Sequence, residues 1–530
     1  MSSRVKSLTK FTIIFMSFVT IFGFRNIVNN QNQFGLLACI LFLIGGAIYA
    51  LPMVFISSEL GSVKKLKDQE AGLGSFCVFT LGQKNGFIAA WASYFGNLFF
   101  FATLAPFTVI ALSFFFYGAN GFDKMAEIFS EQGLSENNAT RASACILSLC
   151  AILIFWGASF VSKKGPKWIG KLTTIGGAAS LILGLGFIVI ALVFTLPVLG
   201  VQSDFNSQQL DPLNDPSMFD GDWWSFISAV PWLIFAYVGI ETMCVFIKDT
   251  KGGAKTFKVA TFIGMIIVIA LMVLGSLLLS LTISQNAINK WGISNAYYLV
   301  FPKLMGLEID STAGKVIIHI VGLVTAFNGL GSLFFWIAGP SKVFFSEIPP
   351  KAMGKWIAKT DNNGMPVNAL FIQAVIVSII LMIVGATTTG TLGQGSSVFL
   401  EKIMQATTST AIIQMLYLFV GYIKMRIKDN DVERDYIWLK NHRNIVIAIS
   451  SVTVILLGVA FIFGTIPSPE KWKTDWLNAL IDFLFIFGGF IFFMAFGYII
   501  WWINIERPLK KINKSENLEV KTKKVVKENE

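Results

Sequence analysis

Phe235-Ala236-Tyr237-Val238-Gly239-Ile240-Glu241 places an aromatic, glycine and carboxylate run inside an apolar stretch reaching from about Trp224 to Lys248. The first apolar stretch, from Phe11 to about Phe34, is broken in a similar way by Gly23-Phe24-Arg25-Asn26. At about 1.5 Å per residue, Gly23 lies roughly 18 Å from the start of its helix and Gly239 roughly 14 Å from the Lys248 end of its own. Both breaks therefore fall near the middle of a hydrocarbon layer about 30 Å thick. Backbone that leaves the helix at that depth must be buried in protein or face a wet cavity, because lipid cannot hydrogen-bond its amides and carbonyls. Two interrupted helices at corresponding depths point to the binding site of a secondary transporter.

Composition sets the solvent. Of 530 residues, 54% are hydrophobic and only 14% charged, with a mean hydropathy of +0.67. The apolar runs repeatedly reach the ~20 residues of a membrane helix. The net charge of +11 sits in particular short loops, a distribution that favours membrane orientation over a nucleic-acid face. Five scattered cysteines and two histidines, His319 and His442, form neither a disulfide framework nor a metal-ligand spacing. No HExxH, Gly-rich phosphate loop or Ser/His/Asp set stands out, so a membrane enzyme is disfavoured and no metal or cofactor is expected.

The expected fold is an all-α polytopic membrane protein with about twelve spans, near 11–34, 35–58, 85–117, 142–162, 168–197, 223–247, 257–283, 313–338, 366–387, 398–423, 444–465 and 476–503. Lysines and arginines crowd the N-terminus and the loops after spans 2, 4, 6, 8 and 10. The loop before span 6 carries Asp204, Asp211, Asp215, Asp220 and Asp222 instead. This alternation predicts both termini in the cytoplasm of a cell-membrane protein. Spans 1–5 (11–197) and 6–10 (223–423) superpose in order, each set opening on a broken helix. An odd number of spans per set makes them an inverted 5+5 repeat. A short N-terminus (1–10) precedes this core. A cytoplasmic loop (424–443), two additional spans (444–503) and a basic, disordered tail (504–530) follow it.

A broken helix offers free N–H groups with a positive dipole end and free carbonyls with a negative one. Two such breaks side by side suit the carboxylate and ammonium of an amino acid. Candidate substrate-binding residues are Gly23, Phe24, Arg25 and Asn26 in span 1 and Phe235, Ala236, Tyr237, Val238 and Gly239 in span 6. The glycines permit the unwound backbone, and Phe24 and Tyr237 close over a ligand; close helix packing is the competing role for each glycine. An arginine inside the membrane is penalised by roughly 2.5–3.5 kcal/mol and faces a cavity or a partner. For Arg25 that partner is an acidic substrate, Glu241, or polar surroundings reached by snorkelling. Glu241 is a candidate proton-linked gate or an ionised partner for a nearby cation. Asn97 and Asn328 are candidates for lining the cavity or for hydrogen-bonding neighbouring helices.

Beside these physical readings, the chain resembles the amino acid–polyamine–organocation superfamily, most closely its bacterial glutamate/GABA antiporters. The span 6 run, Trp336-Ile337-Ala338-Gly339-Pro340-Ser341-Lys342, Asn362-Asn363-Gly364-Met365-Pro366-Val367, Ser58-Glu59-Leu60 and Thr80-Leu81-Gly82 with Gly86-Phe87 carry the likeness, over roughly residues 8–426. The resemblance implies alternating access and exchange or proton-coupled uptake of amino acids. It places the α-carboxylate at the Gly23 break and the α-ammonium at Tyr237 to Gly239. The Gly-rich signature of span 1 is reduced to Gly23, and span 5 has no central lysine. The expected partners are an amino acid, the bilayer and, as candidate coupling ion, the proton, with no nucleic acid. A sensor that binds without transporting is the remote alternative.

Overall fold

A computed structural model describes residues 6–510 apart from 67–71, 201–223, scattered positions between 225 and 235, 348–349, 355, 358, 362–364 and 475. Phe235, the aspartates from Asp204 to Asp222 and the tail beyond 510 lie outside the described residues. Among the described residues the chain is helical, with two isolated backbone bridges and no strand. Ten helices are long and apolar enough to cross a membrane. They are Lys10–Asn32, Leu37–Gly61, Gln83–Tyr117, Glu136–Ser162, Pro166–Val198, Gly253–Thr282, Thr312–Lys342, Val367–Thr387, Arg443–Thr474 and Gly489–Lys510. The interrupted segment around Gly239 and the 34-residue helix Gly395–Lys428 stand where spans 6 and 10 are expected.

Span 3 lies deepest, with 82% of its most apolar window buried, against 28% for span 11 and 11% for span 12. The last two therefore form a lipid-facing margin, while spans 1, 3, 6 and 8 make the centre. Small residues set how closely the central spans approach. A Cβ on Gly176 of span 5 would lie 2.7 Å from the Cα of Gly331 in span 8, and one on Gly177 would collide with the Phe15 carbonyl of span 1. Without side chains at these points the backbones make van der Waals contact directly, which is how membrane helices gain packing energy.

Both interruptions are visible in the backbone. Span 1 consists of Lys10–Ile21 and Phe24–Phe34, separated by an extended Phe22 (φ −77°, ψ 120°) and Gly23 (φ −131°, ψ 121°). In span 6, Ala236–Gly239 form a turn before the helix restarts at Ile240. Gly239 has φ +134°, a region that side-chain-bearing residues avoid. Its hypothetical Cβ would also strike Thr20 of span 1. Gly23 differs: its dihedrals are open to most residues, and a Cβ there would meet only Asn26, at 3.7 Å. The backbone requires glycine at 239 and not at 23.

Candidate substrate cavity at the helix breaks

The end of the first half of span 1 has carbonyls that the missing turn would have bonded. One is recovered across the bundle, where Ser332 of span 8 donates its hydroxyl to the Val19 carbonyl at 2.8 Å. Within the break, Phe22 N–H donates to Phe18 and Asn26 N–H to Gly23, at 2.9 and 2.8 Å. The second half begins at Phe24 with no side chain capping it, so apart from the Asn26 amide its first turn and positive dipole end are open to an anion.

These ends front a cavity of about 70 Å³, several times the space one water needs. Val19 to Asn26, Asn29 and Asn30 form its span 1 wall, and Phe100, Leu104 and Phe107 its span 3 wall. Val238, Tyr297 and, from span 8, Asn328, Ser332 and Trp336 complete it. Aromatic rings pack tightly around the entry of the second half-helix. Phe24 stands 4.7 Å from Phe187, 5.2 Å from Tyr297 and 5.3 Å from Phe301, centroid to centroid.

Arg25 reaches this cavity from the first turn of the resumed helix. It is 9% exposed, and its guanidinium carbon lies 4.8 Å from the centroid of the Phe107 ring. Its Nη1 has no hydrogen-bond partner, and no ion pair joins it to Glu241 or another carboxylate among the described residues. A buried cation with an idle donor is costly unless something supplies an acceptor. Asn29 and Asn30, on the same side of the cavity, also carry unpartnered amide oxygens.

The other sequence candidates are distributed differently. Gly23, Phe24, Asn26, Val238 and Asn328 line the cavity, and Asn328 also donates to Ser180 of span 5. Tyr237 is buried but directed away, donating its hydroxyl to the Phe42 carbonyl of span 2 at 2.8 Å. Ala236 and Gly239 are buried at the span 6 turn behind Val238. Glu241 folds back on its own helix start, both carboxylate oxygens 3.1 Å from the Gly239 N–H. It thereby occupies the positive end that the span 6 break creates. Asn97 donates to Ser93 within span 3 at 2.7 Å and does not reach the cavity. Thr20, Phe107, Tyr297, Ser332 and Trp336 line it without having been singled out for that role. Only Trp336 carried a signal, standing at the head of the span 8 motif.

Before the first half of span 1, backbone and charge pairs tie the N-terminal segment to the end of span 6 and span 6 to span 8. Leu8 pairs with the backbone of Asp249 and Lys251, and Lys342 meets Asp249 at 2.7 Å with both side chains buried. Glu59 binds Arg426 at 2.9 Å and lies 3.1 Å from Arg434. It also accepts from Tyr422 and from the Trp438 N–H. Burial lowers the Arg434 pKa despite Glu59, and burial together with Glu59 pushes the Tyr436 hydroxyl up to about 12. Polar residues of span 1 continue from the cavity toward Gln31, which accepts from Ser280.

A profile of the amino acid permease family matches residues 8–492. The chain is 24% identical over 479 residues to an aspartate/glutamate permease of Lactococcus lactis subsp. cremoris, covering 88% of this chain and 90% of that one. It is 22% identical over 516 residues to an inner membrane transporter of Salmonella typhimurium, covering 94% and 97%. A glutamate/gamma-aminobutyrate antiporter of Lactococcus lactis subsp. lactis is 24% identical over 400 residues, covering 74% and 71%. With two interrupted helices beside a cavity and a family match across most of its length, the chain belongs to the amino acid permeases and is a multi-pass amino-acid transporter, not an enzyme.

Proposed function

We propose that this transporter carries acidic amino acids by alternating access, in exchange for a glutamate- or GABA-like counter-substrate. The observation that carries the reading is that Arg25, a buried cation lining the cavity with no carboxylate partner among the described residues, leaves its Nη1 without a hydrogen bond. The substrate's α-carboxylate meets the open amides of the second half-helix of span 1, and its ammonium meets the carbonyls around Val19 to Ile21 and the span 6 turn. Its side-chain carboxylate pairs with Arg25. Phe24, Val238 and Trp336 surround the methylenes, while Gly239, Ala236 and Tyr237 shape the span 6 side from behind. The acidic-substrate names of two relatives support the same class. The basic loops support a plasma-membrane protein with both termini in the cytoplasm.

Proton-coupled uptake is the second reading, favoured by Glu241, a buried carboxylate held at the span 6 break. Counterflow in proteoliposomes separates the two. Exchange predicts that glutamate or GABA inside the vesicles accelerates labelled glutamate entry and that a protonophore leaves it intact. Symport predicts entry into empty vesicles driven by a pH gradient and abolished by the protonophore. Ligand-dependent stabilisation with no flux in either format identifies a sensor.

A further inference from the structure

Span 2 meets span 11 at one level and the loop before span 11 at another, and a groove lies in between. At the first contact, span 2 widens into a π-helical turn, Gly46–Ala50, and Thr453 of span 11 donates to the Ile48 carbonyl at 2.8 Å. At the second contact, Trp438 in the loop before span 11 stacks on Phe55, centroids 5.3 Å apart and planes 23° apart. Between them is a groove of about 440 Å³, walled by Ala47, Leu51, Phe55, Trp438, Ala448 and Val452. From Ala47 to Phe55 it runs about 12 Å along span 2. Ala47, Ala448 and Val452 at its rim are exposed, so the groove opens on the face that lipid covers. A carbon-lined slot of this kind fits an acyl chain and offers a polar ligand nothing.

Its Trp438 end carries the opposite character. Residues 436–445 include Lys440, His442 and Arg443, all exposed, and no carboxylate. Arg443 is held in place by donating to the Ile427 carbonyl at 3.0 Å. Lys258, one helical turn from the Phe262 that packs 5.5 Å from Phe55, lies 4.0 Å over the Tyr436 ring. Of the carboxylates beside this segment, Glu59 is taken up by Arg426 and Arg434, and Glu433 by Lys64. We propose that this groove is a binding site for an anionic phospholipid, with one acyl chain between spans 2 and 11 and the phosphate among Lys440, Arg443 and Lys258. The π-helical turn, whose carbonyl Thr453 satisfies, makes the room for the chain; such turns recur at functional positions. This site is independent of the substrate assigned to the central cavity.

The test uses the full chain in vesicles containing phosphatidylglycerol or phosphatidylcholine, each with the same photoactivatable acyl chain, followed by peptide mapping. Phosphatidylglycerol is expected to label 47–55 and 448–452 more strongly than phosphatidylcholine. Lys440→Gln, at an exposed position, is expected to lower that labelling roughly fivefold for the one charge removed. Ala448→Trp fills the groove and is expected to abolish it, whereas Ile455→Trp, on an exposed turn of span 11 outside the groove, leaves it intact. Equal labelling by the two lipids removes the headgroup assignment. Labelling unchanged in Ala448→Trp, or lost equally in both tryptophan variants, overturns the site.

Discussion

Replacing Arg25 with glutamine separates a substrate contact from a structural one. The arginine has no protein carboxylate to lose among the described residues, only a ring contact with Phe107, and its Nη1 is without a hydrogen-bond partner. A hydrogen bond to a charged partner contributes about 1.5–3 kcal/mol, which corresponds to roughly 10- to 150-fold in affinity. The Arg25→Gln variant should therefore bind glutamate and aspartate 10- to 150-fold more weakly, by the same principle. Glutamine and asparagine, which offer a neutral amide at the same place, should weaken less, by about 2- to 12-fold, for a hydrogen bond of about 0.5–1.5 kcal/mol. Ligand-induced thermal stabilisation of the purified transporter measures both, since binding to the folded state raises its apparent stability with ligand concentration. The melting temperature without ligand is the internal control and should shift little. Equal weakening for acidic and neutral amino acids, or unaltered glutamate affinity, would refute the assignment of Arg25 to the substrate's side-chain carboxylate.

Three further expectations concern the scaffold. Gly239→Ala forces a side chain into φ +134° and against Thr20, a strain on the order of 1–3 kcal/mol before the clash is counted; expression and thermal stability should drop, whereas Gly23→Ala should fold normally, and equal behaviour would contradict the two backbone assignments. Glu59→Gln leaves Arg426 and Arg434 buried without their carboxylate, so thermal unfolding should show a loss of about 3–5 kcal/mol; a smaller effect than an exposed Glu433→Gln change would contradict it. Asp123, in the short helix Gly121–Glu131, accepts from Asn120, Asn295 and the Ser396 N–H that opens span 10. Burial raises its pKa, with the Ser396 and Asn295 hydrogen bonds partly offsetting this. The folded state then binds the proton more tightly than the unfolded one, so this contribution is full below the unfolded pKa, near 3.9, and is lost as pH rises through the folded value. Melting temperatures across acidic pH should show that slope in the parent and not in Asp123→Asn; an identical slope in both would dismiss the linkage.

The membrane fold was legible because its determinants are local. Apolar runs long enough to cross, glycine-bearing interruptions inside two of them and lysines in alternate loops are one-dimensional features that the bilayer itself enforces. Arg25 was legible for the same reason, since a charge at that depth must answer to something. The lining of the cavity was not. Ser332, Trp336 and Tyr297 lie about 300 residues from Val19 in sequence and join it only because spans 1, 3 and 8 pack together. Tyr237 has the composition of a ligand-closing residue, yet the carbonyl it reaches belongs to Phe42. Glu241 could pair with any cation within reach until the backbone turned its carboxylate onto the Gly239 amide. Gly23 and Gly239 read alike as letters, and only their dihedral angles distinguish the position that demands glycine from the one that merely has it. Hydropathy and chain breaks act along the backbone and survive in the sequence. A cavity wall depends on which faces of distant helices meet, and that is decided by side-chain packing in three dimensions.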